Sequence, residues 1–187
     1  MVSACRDSDD GLVSEMPGSS VDPLRSLALL DELYARHQSQ GFGRVVQLLL
    51  ALTFQGEGYR VVRNSVGVPD LVATKEDPPV GYAIEVKTGE RKISLSPRDI
   101  QGVVSTGHVS IVAVLIFPDP QPHWLFLDAR SIKAGTYAKH QLARKPKVPL
   151  EFDANAAFRT SLAAYHSTAM QGTSALSRAI SSASDPG

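Results

Sequence analysis

Two short segments, Pro69-Asp70 and Glu85-Val86-Lys87, constrain the fold of this chain more than any other feature. The second segment belongs to an alternating run. Because successive side chains of a β-strand point to opposite faces, Glu85 and Lys87 share one face, whereas Tyr82 and Ile84 lie on an apolar face that can cover a core. Asp70 opens another strand-like run, and residues 75–81 between the two runs carry a turn signal. We therefore predict a hairpin or a pair of neighbouring strands that brings Asp70 beside Glu85.

Two carboxylates and an ammonium group that converge on one point suit a hard divalent cation. Mg²⁺ prefers oxygen ligands and is typically held by one or two carboxylates together with water and substrate phosphate. Such an ion stabilises charge on a phosphoryl oxygen and lowers the pKa of a bound water, while a lysine can orient that water. The residues therefore favour phosphodiester hydrolysis. The other interpretation is a surface hairpin whose glutamate and lysine lie on the solvent face of an antiparallel sheet.

The residues Pro69, Asp70, Glu85 and Lys87 are similar to the PD-(D/E)xK nuclease motif. Across residues 42–128, the order of predicted elements resembles the core of restriction-endonuclease-like domains and archaeal Holliday-junction resolvases. The resemblance implies an α/β fold with a restriction-endonuclease-like core, in which a mixed central sheet of four to five strands is flanked by helices. Helices are added at both the N-terminal and the C-terminal side of this core.

The resemblance also implies a Mg²⁺ or Mn²⁺ site. Asp70 and Glu85 would hold the ion with the backbone carbonyl of Val86, and Lys87 would position the attacking water. Where the family has a glutamate on the first core helix, this chain has Gln47, whose amide oxygen can bind a metal directly or through water but brings no charge. We expect Gln47 on the sheet-facing side of its helix near Asp70, because a buried amide needs a partner. A glutamine on the helix surface is the alternative.

The predicted domain organisation follows the composition along the chain. Its 187 residues favour one domain. We predict a disordered tail over 1–22, a PD-(D/E)xK nuclease-like domain over 23–150, a C-terminal helix over 151–172 and a disordered tail over 173–187. Within the large domain, the sequence predicts a helix from Pro23 to Gln38, a break at Gly41-Phe42-Gly43 and a core helix from Arg44 to Gln55. A parallel strand over 110–117 and an edge strand over 123–128 follow the motif.

Charge limits where DNA can bind. The 19 basic and 19 acidic residues cancel, so any DNA contact depends on local clusters. The stretch from Lys133 to Leu150 has no acidic residue. It forms either a DNA contact or a solvated basic loop. The predicted DNA-binding residues there and beside the motif are Arg91, Lys92, Arg98, Lys139, Arg144, Lys145 and Lys147.

The sequence carries no sign of secretion or membrane insertion. The chain begins without a basic and then apolar leader, its apolar runs are far shorter than a membrane span, and its one cysteine, Cys5, excludes an intrachain disulfide. We expect a cytoplasmic protein. The predicted function is a metal-dependent DNA endonuclease, acting on a junction, a repair intermediate or a restriction-type site as a homodimer. The alternative is a catalytically inactive nuclease fold kept as a DNA-binding or assembly module.

Overall fold

The computed structural model of the protein describes residues 22–64, 67–89 and 91–183. This part of the chain forms seven strands and five helices. The strands are β1 (Arg60–Arg63), β2 (Leu71–Lys75), β3 (Val80–Gly89), β4 (Lys92–Leu95), β5 (Val109–Ile116), β6 (His123–Asp128) and β7 (Gly135–Ala138). The helices are α1 (Pro23–Gly56), α2 (Pro97–Val104), α3 (Lys139–Ala143), α4 (Ala154–Gln171) and α5 (Thr173–Ala183), with a 3₁₀ turn at Ala129–Ser131.

A five-stranded mixed sheet, in the order β1-β2-β3-β5-β6, forms the centre of the fold. β1, β2 and β3 pair antiparallel, β3 and β5 pair parallel, and β5 and β6 pair antiparallel. The parallel step follows from the crossover through α2, which carries the chain back to the end of the sheet where β3 began. The predicted mixed α/β architecture, with a motif hairpin, a parallel central strand and an edge strand, is confirmed.

The alternation along β3 divides the core into two layers. Tyr82 and Ile84 pack in a cluster with Leu49 of α1 and Leu162 of α4, on one face of the sheet. Ala83 packs in a second cluster on the other face, with residues of α2, α3 and β5. The helices therefore flank both faces of the sheet. Glu85 and Lys87 lie on the same face of β3 as Ala83, because they follow it at every second position. The predicted assignment of β3 residues to two faces is confirmed.

The predicted break at Gly41-Phe42-Gly43 is wrong, because α1 continues through these residues to Gly56. Its interruption lies earlier, at Gln38, where the backbone has φ 54° and ψ −177°. Gly43 serves close packing instead: a Cβ there would lie 3.1 Å from Thr88 Oγ1. The absence of a side chain lets the end of β3 approach α1 directly.

The C-terminal residues also differ from expectation. Residues 173–187 were predicted to be disordered, but Thr173–Ala183 forms α5. Leu176 and Ile180, four residues apart, are buried against the core and place an apolar stripe on an otherwise Ser- and Ala-rich helix. The N-terminal tail, including Cys5, lies outside the described residues. Among the helices described, none is long and apolar enough to cross a membrane.

Two short strands that the sequence does not predict join distant segments. β4 follows β3 almost directly and pairs antiparallel with β7, with Lys92 opposite Ala138. β3 extends to Gly89, two residues beyond Lys87. Local patterns do not reveal such four-residue strands, because their pairing depends on partners 40 residues away.

Candidate active site

Asp70 lies at the start of β2, directly against the middle of β3. Its Oδ2 accepts a hydrogen bond of 2.8 Å from the backbone N–H of Val86. The register of the two strands, with Leu71 opposite Ile84, fixes this contact. The predicted proximity of Asp70 to the Glu85 segment is therefore present in the structure.

Lys87 connects the two acidic residues that flank it. Its Nζ donates to Glu85 Oε1 at 2.8 Å and lies 3.1 Å from Asp99 Oδ2. Asp99 belongs to the first turn of α2, where it completes a capping box: Ser96 N–H donates to Asp99 Oδ2 at 2.8 Å, and Asp99 N–H donates to Ser96 Oγ at 3.1 Å. The start of α2 is thereby tied to the lysine of the motif.

Asp99 is the site residue that sequence reasoning missed. The sequence identifies its capping role, since Ser96, Pro97 and Asp99 have the pattern of a helix N-terminus, and the structure confirms that role. Its contact with Lys87 depends on how α2 packs beside β3, and no spacing along the chain indicates it.

Burial governs the protonation of the two motif carboxylates. Glu85 is only 4% exposed. Burial of the Glu85 carboxyl raises its pKa to about 7. The hydrogen bond from Lys87 lowers this pKa, and the negative charge of Asp70 raises it further. Burial also raises the pKa of Asp70, against the effect of the Val86 N–H. Groups of this kind, desolvated and paired with a specific charge, are typical of functional sites.

The two charged groups next to these carboxylates, Lys87 and Asp99, stay ionised. Burial lowers the pKa of Lys87, but its hydrogen bonds and charge interactions with Glu85 and Asp99 outweigh this and raise it above the ordinary value. Burial raises the pKa of Asp99, but the hydrogen bond from the Ser96 N–H and the contact with Lys87 outweigh burial and lower the pKa below its ordinary value. Lys87 is therefore held as an ammonium group in a fixed position.

One observation bears directly on a metal ion. Glu85 Oε2 is buried and has no hydrogen-bond partner among the residues that the structure describes. An unsatisfied buried acceptor is costly, and a cation or its bound water would satisfy it. Within residues 22–64, 67–89 and 91–183, no group of three His, Cys, Asp or Glu side chains is arranged to hold a metal. The two motif carboxylates, Asp70 and Glu85, are oxygen donors of the kind that Mg²⁺ takes together with water.

Gln47 lies on α1, half-buried in the wall of a cleft of about 500 Å³. Asn64 lines the same cleft, donating through Nδ2 to the Pro69 carbonyl at 2.7 Å and through its backbone N–H to the Asp70 carbonyl at 3.0 Å. The cleft therefore borders the segment that carries Asp70. A role for Gln47 in metal binding stays a prediction.

The predicted DNA-binding residues fall in two environments. Arg91, Lys92, Arg98 and Arg144 are exposed, and the β4–β7 pairing brings Lys92 next to the start of the acid-free stretch. Three lysines of that stretch make contacts within the protein. Lys139 donates to the Phe117 carbonyl, Lys147 to the Ala143 carbonyl at 3.0 Å, and Lys145 lies over the Tyr137 ring at 5.6 Å. DNA binding by either group stays a prediction.

Comparison with known proteins gives a likeness to solved structures alone. No protein-family profile matches the chain, and no curated protein matches its sequence. Among solved structures, the fold is similar to Hjc of Archaeoglobus fulgidus, a Holliday junction resolvase from an archaeal hyperthermophile. The identity is 19%, the match covers 52% of this chain and 92% of that chain, and the TM-score is 0.41. At this level the likeness carries no information on substrate or activity.

Proposed function

We propose that this protein is a metal-dependent endonuclease that hydrolyses DNA phosphodiester bonds in an active site formed by Asp70, Glu85 and Lys87. The observation that supports this most is the arrangement around β3. Asp70 is held at 2.8 Å by the Val86 N–H, and Lys87 is held at 2.8 Å by Glu85. The second Glu85 oxygen is buried and has no hydrogen-bond partner in the described part of the chain. A solvent-facing hairpin, the other interpretation of these residues, does not bury its glutamate to 4% exposure.

Each residue then has a distinct part. Glu85 Oε2 and Asp70, with the Val86 carbonyl, would hold Mg²⁺ or Mn²⁺. When bound, the ion supplies charge stabilisation at a phosphoryl oxygen and a more acidic water. Lys87 donates hydrogen bonds from a fixed position, so it can orient the attacking water or stabilise negative charge as it develops. The resemblance to the PD-(D/E)xK motif implies that cleavage leaves 5′-phosphate and 3′-hydroxyl ends.

The substrate is DNA, either a branched structure such as a junction or repair intermediate or a restriction-type duplex site. Cutting two strands is easiest with two symmetry-related sites, and two-fold dimers are the commonest oligomers, so we propose a homodimer as the active unit. Light scattering with and without DNA tests this, and a monomer in both conditions contradicts it.

The second candidate is a nuclease fold without catalysis that binds DNA or serves in assembly. Gln47 favours it, because the resemblance implies a charged glutamate at this position. The net charge of zero also favours it. If this candidate holds, the wild type binds DNA without cutting it, and Gln47→Glu restores metal-dependent cleavage.

The deciding experiment incubates supercoiled plasmid and a four-way junction with the protein in Mg²⁺, in Mn²⁺ and in EDTA. The nuclease proposal expects cleavage with either metal and none in EDTA. Lys87→Ala, purified in the same way, is the control for a contaminating nuclease, since only cleavage by this protein depends on Lys87.

A further inference from the structure

The cleft beside the Pro69-Asp70 segment carries a concentration of positive charge that the active site does not use. Three arginines from three different elements line it: Arg44 from α1, Arg63 from β1 and Arg178 from α5. Among the described residues of its wall, none is acidic. The other wall residues are polar apart from Leu48, and they include the hydroxyls of Ser174 and Ser177.

We propose that this cleft binds a backbone phosphate of the DNA substrate, an inference that rests on the proposed function. Guanidinium groups present several N–H donors in a planar fork that matches phosphate oxygens, and their hydrogen bonds to an ionised oxygen are stronger than neutral ones. Three guanidinium groups line one cleft of about 500 Å³, so an anion in the cleft has several charged donors around it. Serine hydroxyls add neutral donors to the same anion.

The position of the cleft favours a phosphate of DNA over a separate anion. Asn64 belongs to its wall and hydrogen bonds to the backbone of Pro69 and Asp70. A strand that places one phosphate at the Asp70 site therefore passes close to the cleft with a neighbouring phosphate. Such a contact fixes the position of the strand and carries no sequence information.

The cleft also gives α5 a role. Arg63 Nη1 donates to Ser177 Oγ at 3.1 Å, which fastens β1 to α5 and sets Arg178 in the wall. Leu176 and Ile180 bury the opposite stripe of the helix. The C-terminal extension, which lies outside the 42–128 region of the family resemblance, thus completes the proposed phosphate site.

The test measures DNA binding without cleavage. Fluorescence anisotropy with a labelled 20-base-pair duplex in EDTA gives the affinity of wild type, Arg178→Gln and the double variant Arg44→Gln/Arg178→Gln over a range of salt concentrations. Arg25→Gln/Arg36→Gln is the matched control, because both of these arginines are exposed on the N-terminal part of α1 and do not line the cleft. Thermal melts establish that each variant is folded.

The proposal expects the double variant to bind about tenfold or more weakly, because it loses charge-assisted hydrogen bonds. Its log–log salt slope should be shallower by up to about 0.9, since the cleft makes one phosphate contact and each such contact contributes about 0.9. Arg178→Gln should give about half of this change in slope, and the control pair none.

An unchanged slope in a folded double variant overturns the proposal, whether or not the wild type cleaves DNA. Binding of inorganic phosphate that depends on Arg44 and Arg178, combined with unchanged DNA binding, also overturns it and assigns the cleft to a free anion. If the double variant has a shallower salt slope but the wild type never cleaves DNA, the result supports phosphate binding by the cleft and contradicts only the nuclease proposal.

Discussion

The ammonium group of Lys87 lies 2.8 Å from Glu85 Oε1 and 3.1 Å from Asp99 Oδ2. The second contact joins the motif strand to the first turn of α2, because the same Asp99 oxygen accepts the Ser96 N–H. Lys87 is thereby fixed from two elements, and Asp99 becomes a positioning residue for the proposed chemistry.

Asp99→Asn separates the two roles of this side chain. The amide oxygen can still accept from Ser96 N–H, so the helix cap persists, but the negative charge beside Lys87 is lost. A charge-assisted hydrogen bond exceeds a neutral one by about 1 kcal/mol, so we expect single-turnover cleavage to slow by roughly fivefold to tenfold with little change in melting temperature. Asp99→Glu, which keeps the charge, should lose less activity. Equal rates for wild type and Asp99→Asn contradict the positioning role.

Metal binding should depend on pH through Glu85. Its pKa is raised to about 7, so the carboxylate is ionised above that pH and protonated below it. A metal ion must then displace a proton, and Mg²⁺ affinity should fall as the pH drops below about 7, by up to about tenfold per pH unit. Titration calorimetry at pH 8, 6 and 5 measures this. The Glu85→Gln variant should bind Mg²⁺ weakly, and its affinity should change less between pH 8 and pH 5 than that of the wild type. A wild-type Mg²⁺ affinity that does not change with pH contradicts the role of Glu85 as a metal ligand.

The acid-free stretch gives a separate prediction. Replacing Arg144, Lys145 and Lys147 together by Ala should weaken DNA binding and reduce the salt slope by roughly 2–3, if all three neutralise phosphates. Lys145 and Lys147 already make contacts within the protein, so a smaller change points to Arg144 alone. An unchanged slope places the DNA contact elsewhere, with Arg91, Lys92 and Arg98 as the next group to replace.

The role of α5 in the fold can be tested through Leu176, whose side chain is fully buried. Leu176→Ala removes methyl groups from the core and leaves a cavity, so the free energy of unfolding should fall by about 2–5 kcal/mol. Ser181→Ala, an exposed change on the same helix, is the control. Denaturant melts that show no difference between the two variants contradict the packing of α5.

The parts of the fold that local patterns determine could be predicted from the sequence. Alternation in β3 assigned Ile84 to the apolar face and Glu85 to the other, because side chains repeat every two residues in a strand. The capping residues of α2 were also predictable, since a cap involves only neighbours within one turn.

The remaining features depend on contacts between distant segments. Gly43 indicates a helix break when considered alone, but it lies within α1, where the lack of a side chain allows Thr88 to approach closely. The pairing of β4 with β7, the burial of Ile180 and the contact of Asp99 with Lys87 each require the tertiary fold. The strand pairing and the Asp99 contact leave no periodic signal in the sequence, and Leu176 and Ile180 form only a short apolar stripe in a Ser- and Ala-rich segment.

The most direct test of the central claim is single-turnover cleavage of plasmid and junction DNA in Mg²⁺ by wild type, Asp70→Ala and Lys87→Ala, with circular dichroism to establish that each is folded. We predict that the wild type cleaves only with metal and that each variant is slower by about 10²–10³-fold or more, as is typical when a group that stabilises the transition state is removed. Cleavage at the wild-type rate by both folded variants would show that Asp70 and Lys87 do not form the active site.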